Sequence, residues 1–378
     1  MNKIGIYVHI PFCKQKCLYC DFISYSNKLN CVEKYIERLK KEIDDVSSKI
    51  DVNSNIVNTI YIGGGTPSYI NEKYISEILE KLKTKFIIEE NVEVTLEVNP
   101  GTANKEKLEY YKKIGVNRLS IGLQSTNDSI LKLLGRIHNY EEFTNVYYEA
   151  RNAGFKNINI DLIIGVPTQT IEEVKDSISK ILNLNPEHVS VYSLIVEENT
   201  PLEEKISKGE LALPEEELER EMYWYTKNEL QNNGYKHYEI SNFSKVGKES
   251  KHNVNCWNQE KYLGFGVAAH SYFDNQRYSN TDSLEEYINE EEIYRIRTVN
   301  EIQTLEDKEK EYMLLGLRKI EGINISEFKR KFIDNPIYLY RNEIDKLVKE
   351  ELIEVDLDYI KLTKKGIDLA NLVWEEFV

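Results

Sequence analysis

Three of the chain's five cysteines, Cys13, Cys17 and Cys20, fall within eight residues in a C-x3-C-x2-C pattern. Two thiols could form a redox pair, but a third leaves one over, which suits a soft metal centre better than a disulfide. A structural zinc ion would want a fourth Cys or His nearby. His9, on the run before the cysteines, and Cys31, inside an amphipathic pattern, read more readily as a hydrogen-bonded strand histidine and a small packing residue. Three thiolates can instead hold three irons of a 4Fe-4S cube and leave the fourth open to a non-protein ligand. An open iron is a place for chemistry rather than structure.

Other residues invite the same question. Gly63-Gly64-Gly65-Thr66-Pro67 lacks the spacing and lysine of a phosphate-binding loop, but three glycines at a strand end let a ligand approach the backbone. Glu97 and Asp161 lie in apolar strand patterns, where an ionised carboxylate is costly unless paired or hydrogen-bonded. Taken alone, they read as members of structural ion pairs. Arg136, after Leu134-Gly135 in a short loop, reads alone as an exposed surface residue. Further on, Lys251-His252-Asn253-Val254-Asn255-Cys256-Trp257 and a Gly- and Ala-rich run ending at His270 offer neutral imidazoles and room for a flat ligand. Loop histidines satisfied by hydrogen bonds are the plainer reading.

The elements that must position these residues repeat. Strand-like runs at 4–10, 56–62, 92–98, 117–122, 156–163 and 187–194 alternate with amphipathic stretches at 31–47, 72–85, 103–113, 140–153 and 170–184. Six βα units with right-handed crossovers predict an α/β fold, a partial (β/α)6 barrel with every βα loop on one face. The cysteines, the glycine run, Glu97, Gln124 and Asp161 all stand at strand ends on that face. We expect this core over 1–200, an extension of the barrel over 201–299, and over 300–378 a C-terminal α+β winged-helix-like domain, helices followed by a hairpin at 352–363. That last domain is net negative, which favours a packing or lid module over a DNA reader.

The stretch Gly5-Ile6-Tyr7-Val8-His9-Ile10-Pro11-Phe12-Cys13-Lys14-Gln15-Lys16-Cys17-Leu18-Tyr19-Cys20-Asp21-Phe22 resembles the signature of the radical S-adenosylmethionine superfamily. Its flanks are similar to the branch holding oxygen-independent coproporphyrinogen III dehydrogenase and the HemW heme chaperones. The resemblance implies a 4Fe-4S cluster on Cys13, Cys17 and Cys20, with S-adenosyl-L-methionine chelating the open iron. It places Gly64, Gly65 and Thr66 toward the amino group of that cofactor. Glu97, Gln124, Arg136 and Asp161 would lie around its methionine and ribose ends, and Tyr7 and Tyr19 match positions that contact it. The segment from His252 resembles the family's heme-associated HNxxYW, with Cys256 where tyrosine is usual. It makes His252 and Cys256 candidate heme contacts.

The dehydrogenases resemble one another in a fourth cysteine two residues after the third and in a longer stretch before the cluster. Here that position is Phe22, and twelve residues precede Cys13. The expectation is therefore a heme chaperone that passes heme to acceptor proteins, respiratory ones among them, and not a coproporphyrinogen III dehydrogenase, which stands as the alternative. Whether the chain acts as an enzyme or forms a homodimer is left open.

Composition narrows the setting. Of 378 residues 41% are hydrophobic and 30% charged, and 49 Lys+Arg against 64 Asp+Glu leave a net charge of -15. Such a balance repels phosphate backbones and anionic lipid, so neither nucleic acid nor a membrane surface is an expected partner. No apolar run approaches the roughly 20 residues of a transmembrane segment, and no secretory signal pattern opens the chain, so a cytoplasmic protein is expected.

Overall fold

The computed structural model describes all residues, Met1–Val378. Its centre is six parallel strands in chain order, β1 (Asn2–Ile10), β2 (Asn55–Gly64), β3 (Ile88–Val98), β4 (Arg118–Gln124), β5 (Ile158–Ile164) and β6 (His188–Ser193). The crossovers carry α1 (Val32–Ser47), α2 (Glu72–Lys85), α3 (Lys105–Ile114), α4 (Tyr140–Asn152) and α5 (Ile171–Leu184). Each helix starts where the sequence supplies a cap or a turn. Asn71, Asn104, Asn139 and Thr170 accept hydrogen bonds from first-turn N–H groups, the last two in capping boxes.

Strand alternation sorts the side chains into two environments. Ile4, Ile6, Val8 and Ile10 of β1, with Leu96 and Val98 of β3 and Leu119, Ile121 and Leu123 of β4, are buried in the main apolar core beneath the helices. The intervening positions face the barrel interior and are polar: Thr59, Tyr61, Glu97, Arg118, Ser120, Asn159, Asp161, His188 and Ser190. An interior so lined is satisfied by internal hydrogen bonds, by ligands, or by both.

The sheet grows at both edges. The antiparallel pair β7 (Lys236–Glu239) and β8 (Asn242–Ser244) adds beyond β6, following α6 (Glu216–Asn232). On the other side β9 (Tyr262–Phe265) joins β1 in parallel, and β10 (His270–Phe273), β11 (Gln276–Asn280) and β12 (Arg297–Ile302) complete twelve strands. The short α7 (Lys251–Trp257), between β8 and β9, packs against β2.

A second apolar core, running from Tyr312 to Phe377, belongs to the C-terminal α+β domain with its three-stranded sheet and hairpin Ile353–Val355/Tyr359–Leu362. The domain packs against the β7 strand and the region of α7 and does not form a lid. Ile320 N–H donates to Tyr238 O (3.1 Å), and Lys319 Nζ donates to Asn258 Oδ1 (2.7 Å). Every residue lining the large cavity at the other end lies between Cys13 and Glu197.

Candidate cofactor site at the open end of the barrel

The loop that carries the cysteines leaves β1 and is tied down at both ends. His9 Nε2–H donates to Ile23 O (2.9 Å), and its Nδ1 accepts from the Tyr7 hydroxyl (2.9 Å), so this buried imidazole bridges the strand to the far end of the loop. Burial lowers its pKa to about 4 and keeps the ring neutral. Leu18 N–H donates to Leu134 O (3.0 Å), which holds the middle of the loop beside Gly135 and Arg136. Cys31 caps α1, half-buried against the core and away from the loop thiols.

Cys13, Cys17 and Cys20 all line one cavity of about 480 Å³. Burial pushes the Cys13 thiol up and takes Cys20 to about 11. In the bare site Cys13 and Cys20 are thus protonated thiols whose protons a metal would displace. Gly65 runs against this wall: a Cβ there would stand 2.9 Å from Cys13 Sγ and 3.1 Å from Ile10 O. Gly64 has φ +112°, and its Cβ would meet the His9 ring at 2.6 Å. Only glycine fits either position without displacing its neighbours.

Around the cavity wall, Glu97 Oε1 accepts from the Tyr61 hydroxyl (2.8 Å) and Oε2 from Gly64 N–H (3.1 Å). Burial, with Asp161 nearby, raises its pKa to about 7. Asp161 accepts from Asn159 Nδ2 (2.8 Å) and Ser120 Oγ (3.1 Å), and its pKa is also raised, first by burial. Arg136 donates from Nη2 to Asn99 Oδ1 (2.6 Å) and Gly122 O (2.9 Å), and from Nη1 to Cys17 Sγ (3.4 Å). Its guanidinium therefore links the cysteine loop to the ends of β3 and β4. Gln124 has φ +69° at a register shift between β4 and β5, which turns the strand end toward the cavity.

Tyr19, Gly64, Gly65, Thr66, Glu97, Gln124, Arg136 and Asp161 thus line the same cavity as the three thiols. Four other candidates do not. Tyr7 lies behind the wall and serves His9. His252, buried on α7, makes a hydrogen bond to Thr59 Oγ1 through Nδ1 (2.9 Å), and its backbone N–H donates to Glu93 Oε1 (3.3 Å). Cys256, one turn along the same helix, is half-buried. His270 is exposed at the start of β10.

Asn99 and Tyr61 were not among the sequence candidates. Asn99 donates to Thr66 Oγ1 (2.9 Å) while receiving Arg136, and it stands two residues beyond Glu97, where strand alternation returns a side chain to the same face. Tyr61 stands two before Gly63 on the same logic.

Residues 7–181 match the radical SAM superfamily, and residues 303–369 match the HemN C-terminal domain. The chain is 37% identical to the heme chaperone HemW of Lactococcus lactis subsp. lactis, over 98% of this chain and 96% of that one. It is also 37% identical to the heme chaperone HemW of Bacillus subtilis, over 98% of each. The chain belongs to the HemW family. In fold, this HemW-family chain superposes on the E. coli coproporphyrinogen III oxidase HemN with a TM-score of 0.85, covering 100% of this chain and 90% of that one at 24% identity. Membership of the superfamily implies a 4Fe-4S cluster and S-adenosylmethionine. Three thiols on one wall, glycines that leave the backbone open, and carboxylate, amide and guanidinium groups around the remainder are a donor set that fits both. No helix of the chain is long and apolar enough to cross a membrane.

Proposed function

We propose that this chain binds heme and hands it to acceptor proteins in the cytoplasm, with a 4Fe-4S cluster and S-adenosylmethionine held at the open end of the barrel. The observation that carries this reading is the near-full-length similarity to HemW heme chaperones. Phe22, standing two residues after Cys20, adds to it, since no fourth thiol joins the cavity wall.

In this reading Cys13, Cys17 and Cys20 hold the iron, and Gly64, Gly65 and Thr66 offer backbone to the amino group of S-adenosylmethionine. Arg136 takes its carboxylate, while Glu97, Gln124 and Asp161 receive its polar groups. When bound, such a pair supplies one-electron cleavage of a sulfonium carbon–sulfur bond. The chain's own part is to orient the cofactor.

The test uses anaerobically reconstituted protein. Titration with hemin should produce a Soret band, and heme should move to an apo-acceptor. No Soret band would remove the reading. Formation of protoporphyrinogen IX from coproporphyrinogen III, with S-adenosylmethionine, a reductant for the cluster and an electron acceptor supplied, would replace it with the dehydrogenase activity.

A further inference from the structure

The twelve-stranded sheet ends differently at its two edges. Beyond β7 the C-terminal domain closes it: Ile320 N–H donates to Tyr238 O (3.1 Å), Ile240 N–H donates to Arg318 O (3.1 Å), and Glu239 is bridged to Lys319. Beyond β12 no strand follows. No backbone group of 297–302 bonds to anything outside the ladder with β11. Thr281 N–H donates to Ile296 O and Thr298 pairs with Ser279, so strand alternation turns the N–H and C=O of Arg297 and Val299 outward. Natural edges are commonly blunted by lysine, proline or a covering element. The strand Arg297-Thr298-Val299-Asn300-Glu301-Ile302 has none of these, and five of its six side chains are exposed. Val299 is 50% and Ile302 69% exposed, with Tyr294 just before the strand at 63% and Leu305 just after it at 57%. Large apolar side chains gathered beside unpaired backbone mark a contact surface. A register shift at Arg277/Tyr278 bends the strand midway, so the surface suits a short segment rather than a whole second sheet.

The charge around this edge selects the partner. Residues 282–307 carry nine Asp and Glu against two Arg. Both arginines are engaged: Arg297 is half-buried and faces Glu42 (3.5 Å), and Arg295 pairs with Glu290 (3.5 Å). Arg277, opposite Glu301 in the ladder, is spent on Glu311 (2.5 Å), which leaves Glu301 exposed without a cation. Glu291 and Glu292, also exposed, lead into α8 (Ile293–Ile296), a single turn of about 6 Å before the strand. Two copies of the chain set edge to edge would bring this acidic surface against itself, which disfavours a second copy as the occupant. We propose that the free edge of β12 takes up a short extended segment of a basic partner protein, which continues the sheet by one strand. The backbone of that segment meets the outward groups of Arg297 and Val299. Its β-branched or aromatic side chains cover Val299 and Ile302, and its Lys or Arg side chains meet Glu291, Glu292 and Glu301. One short strand buries the area of a transient contact, and exposed ion pairs add only about 0.2–1 kcal/mol each, so the binding is weak and falls with salt. The surface needs neither heme nor the cofactors of the open end.

The test is the fluorescence anisotropy of a labelled, end-blocked peptide of about nine residues, alternating Lys and Val, titrated with the full chain at low salt. The parent should bind it with a Kd on the order of 100 µM. Glu291→Lys, Glu292→Lys and Glu301→Lys together should weaken binding at least about tenfold, since all three carboxylates face water and can be reversed without disturbing the fold. Val299→Pro removes one outward N–H and an apolar contact while sparing the groups that bond to β11, and should weaken binding about fivefold or more. A second peptide, with two of its valines replaced by proline, keeps the charge but cannot complete a ladder, and should bind the parent at least about fivefold more weakly. That comparison decides the matter should Val299→Pro fail to fold. The proposal is overturned if the parent leaves the anisotropy unchanged, if the proline peptide binds as well as the alternating one, or if folded Val299→Pro titrates like the parent, because charge alone would then account for any binding. It is overturned equally if sedimentation shows the parent to be a dimer that Val299→Pro dissociates, since a second copy then holds the edge.

Discussion

The two ends of the barrel use similar residue types to opposite ends. At the open end, where β1 to β5 finish, thiols, carboxylates and a guanidinium line one cavity, their directions fixed by a few internal hydrogen bonds. At the other end α7 closes the interior. There His252 bonds to Thr59, Asn255 Nδ2 donates to Asn58 Oδ1 (3.1 Å), and the C-terminal domain backs the plug. Arg118 is buried between the ends, its charge favouring ionised Glu97 above and neutral His252 below. Polar residues are thus not by themselves a sign of function in this fold; what separates the ends is whether partners inside the chain have already used them.

The largest test of that difference is at the cluster loop. Cys17→Ala should abolish the brown cluster absorbance after anaerobic reconstitution while leaving the circular dichroism of the fold in place, because Cys17 is only half-buried and anchors no element. A variant that retains the full iron content would break the assignment of the open end. At the plugged end the expectation inverts. His252→Ala should cost about 3 kcal/mol in denaturant unfolding, from the lost packing of a buried ring and the unpaired Thr59 hydroxyl, with the cluster still assembling in the folded protein. Unchanged stability would show that α7 is not the plug described here.

The ends should also respond to pH with opposite sign. Burial, helped by Arg118, holds His252 at about 4, below its ordinary 6.5. Its contribution to stability is present above pH 6.5 and lost as pH falls toward 4, about 3 kcal/mol in all. Glu97 is raised from 4.5 to about 7, first by burial. Its contribution is present below pH 4.5 and lost as pH rises through 7. It amounts to about 2 kcal/mol once discounted for the cavity water on one side of the carboxyl. Stability curves of the bare protein against pH should therefore flatten on the acid side in His252→Gln and on the neutral side in Glu97→Gln. Flattening on the same side in both would contradict the separation.

Much of the open end was legible in the chain itself. The thiol spacing, the glycine run and the polar residues at strand ends are local patterns, and βα repetition places them on one face. All six predicted strands lie within the observed ones or overlap them to within a residue or two, as do the helices. What the sequence could not convey was long-range partnering. His252 and Cys256 sit in a stretch with the right residue types for heme, but the groups that hold His252 in place, Thr59 on its ring Nδ1 and Glu93 on its backbone N–H, are 193 and 159 residues away in the chain. Asn99 escaped notice for a related reason, since its value lies in joining Thr66 to Arg136 across three loops.

The smallest expected effect concerns what backs the plug. All three tryptophans of the chain stand at the junction with the C-terminal domain. Trp224 Nε1 donates to Asp368 Oδ1 (2.7 Å), while Arg318 lies over the rings of Trp257 and Trp374, 4.5 and 4.9 Å from their centroids. Trp257 ends α7, so the sandwich joins the plug to the last helix of the chain. Trp374→Leu removes one face of it and should cost about 1 kcal/mol, the scale of a partly exposed cation–π contact. Intrinsic fluorescence reads the loss directly: the emission of the two remaining tryptophans should shift to the red at denaturant concentrations below those that release the barrel. Cluster absorbance should persist through that first step. If fluorescence and cluster are lost together at one midpoint in the variant, the domain is not a separable backing and the plugged end unfolds as one unit with the open end.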